Sequence, residues 1–436
     1  MTREVRTFHI QNFGCRAAQA DGAALENLLQ KRGLEVSGSA ADADLVIVNT
    51  CTVTSEADQD ARQAVRRIHR LNPGARILVT GCYAQRAPEE AAALPGVAWV
   101  VGNSHKAGIP DILAEPEAEH YHGQIRVGDI FGQRRFLSAP VEDASGDRTR
   151  PNLKIQDGCN NRCSFCVIPY VRGRSRSAPA DEVVAQVRHL AAKYREVVLT
   201  GVNLGRWGRE DGGKLRLADL LRRILDETPV ERIRISSVEP MDWSDELLGL
   251  VAESPRVAKH VHAPLQSGSD AVLRRMRRRY RPRHYSDRIL KARRLMPEAA
   301  IGADVMVGFP GETEQEFEET RKFIETHPFT YLHVFTYSAR PGTEAAEQPR
   351  QVPMPVRKER NRILRELAAA KNFAFRSMFV GKQLSVVTLE QERTALSSNY
   401  LKVRLTAARP ANLLLDVTIG AVTPDGLEEC DALRIL

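Results

Sequence analysis

The sequence predicts an α/β protein in three parts: an N-terminal parallel-sheet α/β domain, a central open (β/α)6 barrel and a small C-terminal β-barrel. Three observations predict it. Apolar strand patterns alternate with amphipathic helix patterns up to about residue 110. A second strand–helix series of six units runs from 153 to about 340. After Gly381 the chain changes to short strand patterns broken by turns.

In the first part, strands are expected at Val5–Ile10, Leu45–Val48, Arg76–Thr80 and Val97–Val101, with helices such as Asp21–Lys31 and Glu56–Arg70 between them. That alternation builds a parallel sheet covered by helices. Residues 111–150 lose the period and carry Pro, Gly and mixed charge. They read as a connecting region with a short hairpin around Gln124–Phe136. The central series offers strands at Leu153–Gln156, Glu196–Thr200, Arg232–Ser236, His260–His262, Ile301–Val307 and Tyr331–Phe335, and helices including Asp181–Lys193 and Leu217–Asp226. In a barrel of such units the chemistry belongs at the carboxyl ends of the strands. A long helix at Val356–Phe379 leads into strands at Ser385–Leu389, Tyr400–Leu405 and Leu413–Gly420. The expected division is therefore 1–110, 111–150, 151–375 and 376–436.

A chain of 436 residues suggests two to four domains, and 42% hydrophobic residues can bury a sizeable core. No apolar run approaches a membrane span. The start Met1-Thr2-Arg3-Glu4-Val5-Arg6 opens no signal region, so the cytoplasm is expected. Seven cysteines at wide spacing argue for metal or redox use over a disulfide framework. A net charge of +8 and an isoelectric point near 9.2 favour an acidic partner, nucleic acid first.

Cys159, Cys163 and Cys166 form a C-x3-C-x2-C run just after the first barrel strand. Four-iron clusters normally take four thiolates. Three leave one iron open for chemistry. The competing readings are a zinc loop or three buried thiols. Zinc wants a fourth Cys or His nearby, and the nearest histidines are His122 and His189. A cluster is favoured. Cys15, Cys51 and Cys82 look scattered, yet each follows a strand of the N-terminal part. In a parallel sheet these strand ends share one edge, where open α/β sheets bind ligands. Gly14 and Gly81 permit tight turns just before two of them. A second cluster is expected there, against the alternative of three separate buried thiols. Cys430 has no such setting and reads as structural.

The cysteine spacing resembles the radical S-adenosylmethionine enzymes, and the two triads in this order resemble their methylthiotransferase subfamily. The matching stretches are Asn49-Thr50-Cys51-Thr52-Val53-Thr54, Thr80-Gly81-Cys82-Tyr83-Ala84-Gln85, Ile155-Gln156-Asp157-Gly158-Cys159, Pro264-Leu265-Gln266-Ser267-Gly268-Ser269 and Gly308-Phe309-Pro310-Gly311-Glu312-Thr313. The resemblance implies two [4Fe-4S] clusters, S-adenosylmethionine chelated at the open iron of the second triad, a 5′-deoxyadenosyl radical, an external electron donor, and a C-terminal TRAM-like barrel that contacts substrate. Phe165 then lies near the adenine. The chain departs from the family at Ala18, where the family usually has Asn. Its tail from Arg376 to Leu436 also carries seven Lys or Arg and seven Asp or Glu, so most RNA contact is expected elsewhere.

The remaining candidates sit at predicted strand ends. Gly201 and Asn203 follow the second barrel strand, Glu239 the third, Gln266 the fourth, and Gly308 and Gly311 the fifth. They are assigned to cofactor binding, although each also fits a plain turn. Thr313 with Glu316 makes a capping box, so part of that last motif is structural. No side chain is assigned as a catalytic acid or base. Seven arginines from Arg274 to Arg283 contain no acid among them. Leu273, Met276 and Tyr280 recur at helical spacing and should face the core, leaving Arg274 and Arg278 outward for phosphate. Arg172, Arg174 and Arg176 form a second basic group just past the second triad, placed to guide RNA.

Within the resembled family three substrates compete: isopentenyladenosine in tRNA, threonylcarbamoyladenosine in tRNA, and an aspartate of a small-subunit ribosomal protein. Cys51-Thr52-Val53-Thr54 and Arg172-Gly173-Arg174-Ser175-Arg176-Ser177 look most like the threonylcarbamoyladenosine group. The expected reaction is methylthiolation of C2 of that nucleoside beside the tRNA anticodon, in a single-stranded loop of the kind proteins read. A non-catalytic iron–sulfur sensor that binds RNA is the rival from another class.

Overall fold

The computed structural model describes residues 5–115, 123–133 and 149–430. They fall into two compact units. The first draws on Met1–Ser145, Lys154–Ala178 and Ser338–Ala346; the second on Gly146–Leu153, Pro179–Tyr337 and Glu347–Leu436.

The first unit is built on a six-stranded sheet in the order Glu35–Val36, Thr7–Asn12, Leu45–Thr50, Arg76–Gly81, Val97–Gly102, Gln124–Arg126. Every pairing is parallel. The period of two divides the central strand between two cores. Leu45 and Ile47 pack with Phe8, Leu25 and Leu29, the last two from the helix Arg16–Gln30. Val46 and Val48 pack with Ala61, Val65 and Ile68 of the helix Ser55–Leu71. Thr54 starts the latter helix, its Oγ1 accepting from Ala57 N at 3.1 Å. Gln124–Arg126 pairs parallel with Val97–Gly102, so it is a sixth sheet strand and not the arm of the expected hairpin. The far end of that expected hairpin, 134–136, lies outside the described residues.

In the second unit, Glu196–Gly201 and Arg232–Ile235 pair in parallel. A parallel bridge from Ser237 to His262 leads on to His260–His262, then Ala300–Val307 and Tyr331–Thr336, also parallel. Val198 N donates to Pro151 O at 2.9 Å, which seats the start of the strand Asn152–Asp157 beside this series. All six expected barrel strands are present, each within one or two residues of its predicted bounds. The long helix Met354–Ser377 follows. Five strands, Gln383–Thr388, Thr394–Ser397, Lys402–Arg404, Gly426–Glu429 and Leu414–Thr423 in spatial order, then close into a barrel. Its core joins Val386, Val403, Val417 and Leu427 to Phe375 and Phe379. No helix among the described residues is long and apolar enough to cross a membrane.

Candidate metal centres

Both cysteine triads belong to the first unit. Cys15 caps the helix Arg16–Gln30, Cys51 directly follows Leu45–Thr50, and Cys82 opens the helix Cys82–Arg86 directly after Arg76–Gly81. Two glycines make the approach possible. Gly14 has φ +99°, and a Cβ there would lie 2.6 Å from Cys51 Cβ and 3.0 Å from Cys51 Sγ. Gly81 has φ +98°, and a Cβ would meet Thr50 O at 2.4 Å. Only a residue without a side chain fits either place. Asn49 Nδ2 donates to Ala18 O at 2.7 Å, so the backbone at Ala18 is held although the side chain there is short.

Cys51 and Cys82 are buried and Cys15 is exposed. Burial, then the neighbouring Cys82 and Cys15, push the Cys51 thiol up to about 12. Cys82 and Cys15 thus lie near enough to oppose the ionisation of Cys51. Such a set becomes a thiolate ligand set only when a metal supplies compensating positive charge. The donor chemistry fits an iron–sulfur group.

The second triad occupies a tightly bonded loop. Gly158, at φ +69°, comes so near Arg174 O that a Cβ would lie 2.0 Å from it. Cys159 N donates to Gly173 O at 3.0 Å, Cys166 N to Cys163 O at 3.1 Å, and Asn161 N to Cys159 Sγ at 3.4 Å. Gln156 Nε2 spans Asp157 O, Gly158 O and Ser175 Oγ at 2.8–3.0 Å. Phe165 is half-buried between the last two cysteines. A backbone donor aimed at the Cys159 sulfur, on a loop of half-exposed thiols, suits a cluster whose open iron must be reached. The two loops also touch. Cys82 packs against Val167 and Val171, and Asn103 Nδ2 lies 3.6 Å from Cys82 Sγ and 2.8 Å from Val171 O.

The strand-end candidates belong to the second unit. Gly201 ends its strand, and Asn203 is buried at the start of the short helix Leu204–Arg206. Glu239 accepts from Arg278 Nη2 at 2.5 Å. Gln266 sits at φ +60°, a conformation costly for a side chain of its kind, with its N bonded to Asp304 O and its O accepting from Met306 N. Its Oε1 is buried without a hydrogen-bond partner among the described residues. Gly308 N donates to Glu312 Oε2 at 2.7 Å, Glu312 is gripped by Arg360, and Gly311 N donates to Arg350 O at 2.8 Å. The capping box of Thr313 and Glu316 forms as expected.

The arginines are corrected. Arg172, assigned to RNA, is 2% exposed and bonded to Asp21 and Asp157. Arg176 turns back on Arg172 O at 3.0 Å, its side chain 10% exposed. Arg278 faces inward to Glu239 because Arg277 adopts φ +56° and breaks the helical phase after Asp270–Arg275. Arg174 and Arg274 remain exposed, the latter 2.8 Å from Asp270. The acids missing from the basic run come from elsewhere: Asp270 pairs with Arg281 as well, and Glu316 with Arg275.

Sequence reasoning missed two groups. The buried charges Asp21, Lys106, Lys154 and Asp157 gave one signal only, the place of Asp157 in the stretch before Cys159. His262, Asp304 and His333, one on each of three neighbouring strands, bring their donor atoms within 4.8 Å of one another. Burial opposes the Asp304 charge, but the two imidazoles outweigh it and hold the carboxyl well below its usual range.

Comparison with known proteins places this arrangement. A model of the Radical SAM superfamily matches residues 153–324, and one of the Uncharacterized protein family UPF0004 matches residues 7–102. A solved structure of the radical S-adenosylmethionine methyltransferase TsrM from Kitasatospora setae shares the fold, with a TM-score of 0.57 at 15% identity over 78% of this chain and 77% of that one. The chain is 38% identical over 410 residues to the Threonylcarbamoyladenosine tRNA methylthiotransferase MtaB of Aquifex aeolicus (strain VF5), covering 94% of this chain and 99% of the other. It is 40% identical to the protein of that name from Bacillus subtilis (strain 168), covering 91% and 90%. The tRNA-2-methylthio-N(6)-dimethylallyladenosine synthase of Saccharopolyspora erythraea is 33% identical, covering 96% and 85%. This chain belongs to the radical S-adenosylmethionine methylthiotransferases.

Proposed function

We propose that this enzyme methylthiolates C2 of N6-threonylcarbamoyladenosine beside the anticodon of tRNA. Cys159, Cys163 and Cys166 would hold the [4Fe-4S] cluster that binds S-adenosylmethionine, and Cys15, Cys51 and Cys82 a second one. When bound, the cofactor and a reduced cluster supply the radical that removes hydrogen from an unactivated carbon, chemistry no side chain offers. The chain's own residues orient these parts. Gly158 and Gly173 fix the loop of the second triad through the Cys159–Gly173 bond. Gln266 Oε1 is a buried acceptor suited to a hydroxyl donor such as a ribose, and Asn203 and Gly201 suit the cofactor's polar end. Arg174 and Arg274, exposed, suit RNA phosphate. The electrons would come from an external donor, and the place of action would be the cytoplasm.

The observation that carries the two-cluster reading is the placement of Cys15, Cys51 and Cys82 at the ends of neighbouring strands, with Gly14 letting the loop before Cys15 close onto Cys51. Identities of 35–40% to threonylcarbamoyladenosine enzymes, against 33–35% to dimethylallyladenosine enzymes, support the substrate. Two measurements test this. Iron and labile sulfide per chain after anaerobic reconstitution should fall by half when either triad is replaced by Ala. Nucleoside mass spectrometry of tRNA from a deletion strain should show loss of 2-methylthio-threonylcarbamoyladenosine; unchanged levels would refute the substrate.

A further inference from the structure

Five charged side chains are sealed inside the cysteine-bearing unit, none more than 8% exposed. Arg172 Nη1 donates to Asp157 Oδ1 at 2.9 Å and Nη2 to Asp21 Oδ2 at 3.0 Å. Lys106 Nζ donates to Asp21 Oδ2 at 3.2 Å. Lys154 Nζ donates to Asp157 Oδ2 at 2.9 Å and also to Asp21 Oδ1. Three cations thus face two carboxylates, and Arg176 Nη2, 3.7 Å from Asp157 Oδ2, adds a fourth. A desolvated surplus of positive charge is costly unless an anion stands near.

The elements that carry this network also carry the first triad. Asp21 lies in the helix that Cys15 caps. Lys106 Nζ donates to Asn49 Oδ1 at 3.1 Å, two residues before Cys51. Arg172 ends the helix Ile168–Arg172, whose Val171 packs on Cys82 and is bridged to it by Asn103. Burial works against the Arg172 charge, and the carboxylates Asp157 and Asp21 oppose that loss; Cys82 and Cys15 also lie near enough to act on the guanidinium once they are thiolates.

We propose that Arg172, clamped by Asp21 and Asp157, is a positioning residue whose buried positive charge stabilises the anionic Cys15–Cys51–Cys82 centre and ties it to the loop of the other triad. This rests on the two-cluster reading above. The clamp uses the planar fork of the guanidinium, with one arm for each carboxylate.

The test is the midpoint potential of the first centre, read by electron paramagnetic resonance in full-length protein carrying C159A, C163A and C166A, so that only this centre contributes. Losing a nearby positive charge disfavours adding an electron. R172Q should therefore move the potential to more negative values, and R172K should keep it near the parent. D21N removes a neighbouring negative charge and should move it to more positive values. A general loosening of the fold does not produce opposite signs. If the potential of a loaded four-iron centre is unchanged in both variants, or moves the same way in both, the proposal is overturned. If R172Q fails to load, D21N decides alone: a positive shift supports the proposal and any other result overturns it. A parent that binds no iron at this triad refutes the two-cluster reading, and the proposal with it; iron content reveals that before any potential is read.

Discussion

Arg172 Nη2 meets Asp21 Oδ2 at 3.0 Å across 151 residues of sequence, and each side chain is 2% exposed. The bond gives the cysteine-bearing unit a pH dependence. Burial opposes the charge on Asp21 and Asp157, but the surrounding Lys106, Lys154, Arg172 and Arg176 outweigh it and hold both carboxyls well below the usual range. A folded value below the unfolded one stabilises the fold above the unfolded value, about 4, and that contribution is lost as pH falls further. The contribution of these two carboxylates to the urea midpoint should be constant from about pH 8 to 5 and fall steeply below about pH 4. D21N should flatten part of that drop; an unchanged slope would mean Asp21 is not held charged.

In the second unit, Glu196 and Arg234 are both fully buried, with Oε1 to Nε at 2.8 Å and Oε2 to Nη2 at 3.2 Å. Arg234 also donates to Ser397 O and Ser398 O of the small barrel. E196Q leaves a buried guanidinium without its counter-charge and should cost about 3–5 kcal/mol in urea unfolding. The double variant E196Q/R234M should cost less than E196Q alone, because the fully buried guanidinium is gone and only Arg232 and Arg150 still face a neutral Gln.

The sequence made the sheet strands legible because each is a short apolar run with the right period, and Leu45–Thr50 is buried along its whole length. Strand ends then placed Cys15, Cys51 and Cys82 on one edge without any spacing motif. Glu35–Val36 escaped notice, and Gln124–Arg126 was read as part of a hairpin, because runs of two and three mostly exposed residues carry no period. Thr394–Ser397 and Gly426–Glu429 have only four residues each, and their neighbours across the barrel, not their composition, make them strands. Arg172 was misread because its surroundings in sequence are basic, while its partners come from a helix near the N-terminus and from the strand before the triad. Arg278 was misread because a single left-handed residue, Arg277, rotated it out of the helical register.

G14A should remove one centre and spare the other. A Cβ at Gly14 would overlap Cys51 Cβ, at 2.6 Å, and φ +99° is strained for any side chain. The strand end would have to shift, separating Cys15 from Cys51. Iron after anaerobic reconstitution should fall by about four per chain, with the centre at Cys159, Cys163 and Cys166 still loaded. Full loading of both would show that the triad tolerates this displacement.

The exposed arginines should separate from the buried ones in a salt series. Arg174 and Arg274 reach solvent, whereas the Arg278 side chain is 6% exposed and bonded to Glu239. A phosphate contact releases counterions, so its loss weakens binding about equally for all sequences and lowers the slope of log K against log salt by about one. R174S and R274A should each do this in equilibrium titrations of labelled tRNA, with unfolding unchanged. R278A should instead lower the urea midpoint, since it strips a partly buried Glu239 of its partner. If R174S and R274A leave the salt slope intact, neither arginine contacts the RNA, and a lysine or arginine elsewhere must supply those contacts.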